Sequence, residues 1–205
     1  MKVLVINGSP RHEGNTSLAI DELVKTFDKE GVETEVCQIG SKDIRGCIAC
    51  GKCFELGKCV FNDIVNETAE KFEKADGLVI ASPVYYASAN GTMISFLDRL
   101  FYSSHFDKTM KVGASVAVAR RGGCSATFDE LNKYFTICGM PVVSSQYWNS
   151  VHGRNKGEAA SDAEGLQTMR VLARNMSFLM KSIDLGMEKY GLPEKEQRQS
   201  THFIR

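Results

Sequence analysis

The sequence lacks any charge imbalance. Lys plus Arg number 25 and Asp plus Glu number 25, so the formal net charge over 205 residues is zero. This removes the electrostatic basis for binding nucleic acid or an anionic membrane. No apolar run approaches the roughly 18 residues that a membrane span requires. The opening "MKVLVINGSP" is too short an apolar stretch for a secretory signal, and reads as a strand running into a turn. Internal repeats, linkers and low-complexity tracts are also missing, so a single domain over 1–205 is expected. Together these absences predict a cytoplasmic protein that contacts neither nucleic acid nor membrane. Cysteine, by contrast, is plentiful: the chain has seven. In a reducing compartment they read as thiols or ligands rather than structural disulfides.

Hydrophobic periodicity alternates between strand and helix along the chain. Strands are predicted at 2–7, 32–39, 77–81, 112–119 and 140–144, and helices over about 16–29, 64–74, 92–102, 125–138 and 162–190. Such alternation specifies an α/β three-layer fold, a parallel sheet with helices on both faces. Five strands favour the flavodoxin-like order 2-1-3-4-5. Ligands of such sheets bind at the carboxyl ends of the strands, near the point where strand order reverses.

Three loops should meet there. The first, "GSPRHEGNTS", leads straight into a helix. Its Ser9, Asn15, Thr16 and Ser17, the first N–H groups of the helix and the bidentate donor Arg11 form a candidate phosphate cradle. The bland alternative is an ordinary turn in which Thr16 caps the helix. It contains neither the Gly-Lys-Ser/Thr of a Walker loop nor a G-x-G-x-x-G dinucleotide fingerprint. The second, "SPVYYASANGTM", offers Pro83 and two adjacent tyrosines, Tyr85 and Tyr86, as a flat wall for a planar ring. Either tyrosine could equally cover the core or a subunit interface. The third, "ARRGGCSATFDE", brings Arg120 and Arg121 together with two glycines whose backbone permits close approach.

With "GSPR…GNTS", "ADGLVIASPVYYASANGTMISFLDR" and the Gly-Gly loop in view, the chain resembles the NADPH-dependent FMN reductase and iron–sulfur flavoprotein group of the flavodoxin-like superfamily. The resemblance implies a non-covalent FMN. Its phosphate would lie on Ser9, Arg11, Asn15, Thr16 and Ser17. Its ring would rest on Pro83, Val84, Tyr85, Tyr86 and Ala87, with Asn90 or Gly91 nearby. Arg120, Arg121, Gly122, Gly123 and Cys124 would approach the other side. The implied chemistry is hydride or electron transfer from NAD(P)H to a small acceptor such as a quinone, flavin, nitro compound or metal ion, with the flavin supplying the reactivity. No protein side chain is assigned a catalytic role, and His12, His105, His152 and His202 are scattered along the chain. The group also implies a homodimer or homotetramer, for which the polar loop 144–161 and the tail after Pro193 are candidate contacts.

The stretch "GCIACGKCFELGKC" places Cys47, Cys50, Cys53 and Cys59 in a C-x2-C-x2-C-x5-C array. Four closely spaced thiolates suit an iron–sulfur cubane, and Gly46, Gly51 and Gly57 give the backbone freedom to wrap one. The array is similar to the cysteine motif of the iron–sulfur flavoproteins, which implies a [4Fe–4S] cluster beside FMN and single-electron exchange with a ferredoxin-like partner. Free thiols or an oxidisable pair form the competing reading, and tetrahedral zinc a third. Cys37 and Cys138 read as small buried hydrophobes.

Overall fold

The computed structural model describes residues 1–197, 199–201 and 203; His202 lies outside them. The elements in order are β1 (Lys2–Asn7), α1 (Asn15–Lys29), β2 (Glu33–Gln38), α2 (Cys53–Leu56), α3 (Ile64–Glu73), β3 (Gly77–Tyr85), β4 (Ser88–Ala89), α4 (Gly91–Ser103), β5 (Val112–Ala119), α5 (Cys124–Thr136), β6 (Ser150–His152) and α6 (Ala163–Tyr190). A short 3-10 turn (Glu158–Ser161) precedes α6. Among the described residues no helix is long and apolar enough to cross a membrane.

The sheet runs β2-β1-β3-β5-β6, all pairs parallel, with β4 attached to β3 as an antiparallel hairpin arm. Period-two alternation divides its core. Val3 and Val5 face a layer built from α1 and α6, with Leu23, Phe27, Leu172 and Met176. Leu4 and Ile6 face the opposite layer, with Phe72, Phe96, Leu100 and Phe135 of α3, α4 and α5. This is the flavodoxin-like arrangement expected from the strand–helix alternation.

Two strand assignments need correction. β3 does not stop at Ser82-Pro83 but continues to Tyr85, with Pro83 opposite Val118. The Ala81 carbonyl accepts from Gly8 N–H on the β1 side, so the imide nitrogen of Pro83, two residues on, points the same way. β1 has already ended there, and no ladder bond is lost. The fifth place in the sheet belongs to Ser150–His152, not to 140–144, which contributes only a bridge between Val142 and Gly113. After that bridge the chain leaves the edge and rejoins opposite Ala117. Asn149, 1 % exposed, spans the gap: its Nδ2 donates to Ser115 O at 3.0 Å and its carbonyl accepts from Ala117 N at 2.9 Å.

Asn149→Ala leaves the Ser115 carbonyl without this donor. It should lower stability by about 1–3 kcal/mol, the penalty of an unsatisfied buried polar group, read as a fall in urea midpoint at constant slope. A change below about 0.5 kcal/mol would contradict the bridging role.

Candidate functional site

The three loops do converge. An open cleft of about 580 Å³ is lined by Ser9, Arg11, Asn15 and Thr16 of the first, Pro83, Val84 and Tyr85 of the second, and Arg120 of the third. The opening turn of α1 faces it. α1 is capped by Gly14 rather than Thr16, with no side-chain cap and no acidic residue in the first turn. Its leading N–H groups and dipole are thus left for an anion.

Several loop side chains are engaged in holding the cradle's shape. Ser9 Oγ accepts from Arg11 N at 3.2 Å, and Ser9 N donates to Asn7 Oδ1 at 3.0 Å. Ser17 lies outside the cleft lining; its Oγ donates to His12 O at 2.6 Å and accepts from Asn7 Nδ2 at 3.3 Å. Asn15 ties the cradle to the loop before α6, donating to Asn155 O at 3.0 Å and accepting from Ala159 N at 3.2 Å. Gly40 lies so close beneath that a Cβ there would overlap the Gly8 and Ser9 carbonyls.

The second loop is a tight hairpin. Tyr86 and Ala87 form its two-residue turn with φ of 52° and 61°, and Val84 pairs with Ala89 and Tyr85 with Ser88. Such a turn normally takes Asn-Gly, so two side-chain-bearing residues here store strain. Tyr85 lines the cleft, whereas Tyr86 is fully exposed at the tip and Ala87 packs toward Gly123. The hairpin is anchored by Glu130 of α5, whose carboxylate accepts from Ser88 Oγ at 2.8 Å and Ala89 N at 2.8 Å. Asn90 and Gly91 stand at the start of α4 rather than in the cleft lining. Asn90 Nδ2 donates to Gly8 O at 2.6 Å, and its Oδ1 accepts from Met93 N at 3.2 Å.

In the third loop Ala119 and Arg120 line the cleft; Arg121 and Gly122 are exposed, and Gly123 packs on the hairpin. Cys124 is half-buried at the first position of α5. Gly153 and Arg154, within the polar loop 144–161 that is a candidate subunit contact, also line the cleft.

The four motif cysteines line a second pocket, which shares no lining residue with the cleft. All seven cysteines are free thiols. The loop turns through left-handed residues at Ala49, Gly51 and Gly57. Among the described residues no group of three or more His, Cys, Asp or Glu side chains converges tightly enough to hold a single metal ion. Arg99 of α4 closes the cavity floor and is only 1 % exposed. Its Nη1 and Nη2 donate to Asp63 at 2.7 and 2.9 Å, and Nε and Nη2 both stand 3.3 Å from Cys59 Sγ. Burial opposes its charge, but Asp63 and then Cys59 outweigh that and raise its pKa further. A charged residue on the buried face of an apolar helix was the sequence signal for it. Glu130 and Gly40 gave no such signal, because their contacts are made only by the fold.

A parallel sheet in this order, with an uncapped helix N-terminus and a flat strand-end wall meeting in one cleft, defines the flavodoxin-like class. Residues 1–155 match the NADPH-dependent FMN reductase family, and the chain belongs to it. It is an NAD(P)H-dependent flavoprotein oxidoreductase. It is 36% identical to an iron–sulfur flavoprotein of Methanocaldococcus jannaschii over 89% of this chain and 99% of that one. It is 30% identical to an iron–sulfur flavoprotein of Methanosarcina thermophila over 92% and 100%. In fold it is similar to RosB, crystallised with 8-demethyl-8-formylriboflavin-5'-phosphate, at a TM-score of 0.73 and 19% identity over 100% and 94% of the two chains. An archaeal flavodoxin gives a TM-score of 0.61 at 15% identity over 88% and 99%.

Glu130→Ala removes the hairpin anchor from a turn whose left-handed residues cost on the order of 1–3 kcal/mol each. Proteolysis at the hairpin should accelerate about tenfold and FMN affinity fall about tenfold, one decade being about 1.4 kcal/mol. Glu130→Gln, which keeps an acceptor, should lose less. Limited proteolysis and fluorescence titration with FMN read both effects.

Proposed function

We propose that this chain is an iron–sulfur flavoprotein that carries electrons from a two-electron donor to single-electron acceptors. In this reading FMN fills the cleft, and a [4Fe–4S] cluster sits on Cys47, Cys50, Cys53 and Cys59. The observation that carries it is the cavity lined by all four motif cysteines, with the buried Arg99 aimed at one of the sulfurs. Zinc needs four sulfurs converging on one ion, whereas each thiolate of a cubane binds a different iron, so the four stand apart around a space. The iron–sulfur names of the relatives that cover nearly the whole chain support the same assignment.

FMN supplies the step from hydride uptake to single electrons, and the cluster supplies a one-electron store. The chain does the rest. The α1 N-terminus, Arg11 and Thr16 bind the phosphate. Pro83, Val84 and Tyr85 seat the ring, and Arg120 places positive charge at its edge, where it stabilises negative charge. Cys124, Gly123 and the Asn90 amide support these loops from behind. Arg99 donates to Cys59, and a hydrogen bond to a cluster sulfur tunes the cluster's potential. α4 joins the two sites: the nine positions from Asn90 to Arg99 span about 14 Å at the helical rise. Natural acceptors are then a ferredoxin-like protein or a small molecule. The one-domain organisation, a cytoplasmic setting and assembly into a homodimer or homotetramer complete the proposal; exposed Phe178, Leu185 and Tyr190 on α6 support the last.

Anaerobic purification with absorption spectroscopy and FMN, iron and sulfide analysis tests this directly. About one FMN and four irons per chain, with visible absorption that bleaches on reduction, are expected. Flavin without iron would leave a simple FMN reductase that passes hydride to a quinone, flavin, nitro compound or metal ion. A flavin that no reductant reduces in stopped flow would end the redox reading altogether.

Arg99→Gln should retain FMN but lose most of its iron, because Asp63 keeps a charge without its partner; breaking a buried ion pair costs about 3–5 kcal/mol, and partial exposure of Asp63 reduces this. Equal iron content in the variant and native protein would exclude the supporting role.

A further inference from the structure

Three residues that lie far apart in sequence meet on the outer flank of β5. Cys124 opens α5, whose first turn has no side-chain cap and no acidic residue. Its Sγ lies 3.8 Å from His152 Nε2. The other ring nitrogen, Nδ1, lies 3.6 Å from Asp162 Oδ2. Asp162 is itself fixed: Oδ2 accepts from His152 N at 2.6 Å, and Oδ1 accepts from Gly165 N at 2.9 Å as the cap of α6. A nucleophile, a base beside it and a third group beside that base are arranged as in an activated side chain, at separations longer than the roughly 2.6–3.2 Å of formed hydrogen bonds. Such distances are commonly loose before a substrate is bound. None of the three lines the flavin cleft. His152 and Asp162 instead border a separate open pocket walled by the exposed rings of Tyr147 and Trp148, and Cys124 adjoins it through His152.

We propose that Cys124, His152 and Asp162 form a base-assisted thiol site that adds covalently to electron-poor alkenes, such as unsaturated carbonyl compounds. The exposed Tyr147 and Trp148 rings, their planes 54° apart, offer a ring face beside His152 on which a conjugated electrophile can rest. The first-turn N–H groups of α5 and its dipole stabilise negative charge beside the sulfur. In the step, His152 Nε2 takes the thiol proton as the S–C bond forms. The alkene π pair moves toward the electron-withdrawing group, and the resulting carbanion recovers the proton from Nε2. No electron is gained or lost overall, and no leaving group or further reactant is required.

The charged surroundings set the test. Around His152 these are Asp162 and, on the same cavity, Glu164, while Arg120 and Arg121 precede Cys124 in its loop. Burial, and then Asp162, push the Cys124 thiol up to about 11 from 9.0. Without a base such a thiol has roughly 100-fold less thiolate at pH 7 than an ordinary cysteine and should react correspondingly slowly. The FMN-loaded protein is treated with N-ethylmaleimide at pH 7, and the labelling rate of the Cys124 peptide is followed by mass spectrometry against N-acetylcysteine. The rate expected is comparable to the free thiol or faster. His152→Ala should slow it at least about 30-fold, with partial recovery on adding imidazole to the buffer. Asp162→Asn, which preserves a capping side chain, should slow it severalfold while FMN remains bound. Labelling at about one hundredth of the N-acetylcysteine rate, or a rate indifferent to both substitutions, would overturn the proposal and make Cys124 a structural thiol.

Discussion

The Asn90 side-chain amide is the contact on which both ligand regions depend. It is 3 % exposed and occupied on both ends. Nδ2 holds the Gly8 carbonyl at 2.6 Å, which fixes the first loop as it leaves β1. Oδ1 receives Met93 N at 3.2 Å, which starts α4. Asn90 N in turn donates to Ser82 Oγ at 3.2 Å, so β3 is drawn into the same node. The energetic value of one such bond is modest, about 0.5–1.5 kcal/mol net. Its geometric value is greater, because the start of α4 determines where Arg99, nine positions further on, enters the cysteine cavity.

Arg99 matters because the segment it supports has little core of its own. Between residues 41 and 60 only Ile44 and Cys53 are buried. Hydrophobic burial therefore contributes little to ordering this loop. A guanidinium donating to Asp63, to Arg45 O at 3.3 Å and to Cys59, with its charge 5.0 Å from the centre of the Phe61 ring, gathers the two ends of the loop at one point. Such a charge is expensive to bury unless every donor finds a partner. Here the partners include a sulfur, so the stabilisation of the loop and the electrostatics of the cysteine cavity come from the same side chain. Asn66 assists by accepting from Cys59 N and donating to Cys59 O, both at 3.0 Å.

Much of the layer structure was legible because it rests on local periodicity. β1, α1, β5 and α6 lie where alternation or helical spacing predicted them, and the strand order follows from the succession of elements. The failures occurred where a distant contact decides. Pro83 sits inside β3 because β1 happens to end beside it, which no local pattern reveals. The fifth strand is displaced to Ser150–His152 because Asn149 can satisfy Ser115 across the gap, a pairing 34 positions apart in sequence. The cleft residues of the first loop were readable from composition. Its braces from Asn7, Gln38 and Gly40 were not, since they come from strand ends that fold underneath it. The tyrosine pair was read as one wall, but a left-handed turn separates the two: Tyr85 meets the cleft and Tyr86 meets solvent.

The interrupted edge strand also explains how one short segment serves two pockets. Successive residues of a strand point to opposite faces. Val151 is fully buried in the core, while His152 turns outward to Cys124 and Asp162. Gly153 follows immediately, bonds to Ala119 O at 3.0 Å and enters the cleft wall, where a Cβ would crowd Asn15 Nδ2 at 2.7 Å. The cradle, through Asn15, and the thiol flank, through His152, are therefore positioned by adjacent residues. A shift of one position in the register of β6 would move both at once. Asp162 resists that shift, because one carboxylate oxygen holds His152 N while the other caps α6, whose buried Met169, Leu172 and Met176 anchor the helix to the sheet. The long final helix thus fixes the register of the short edge strand.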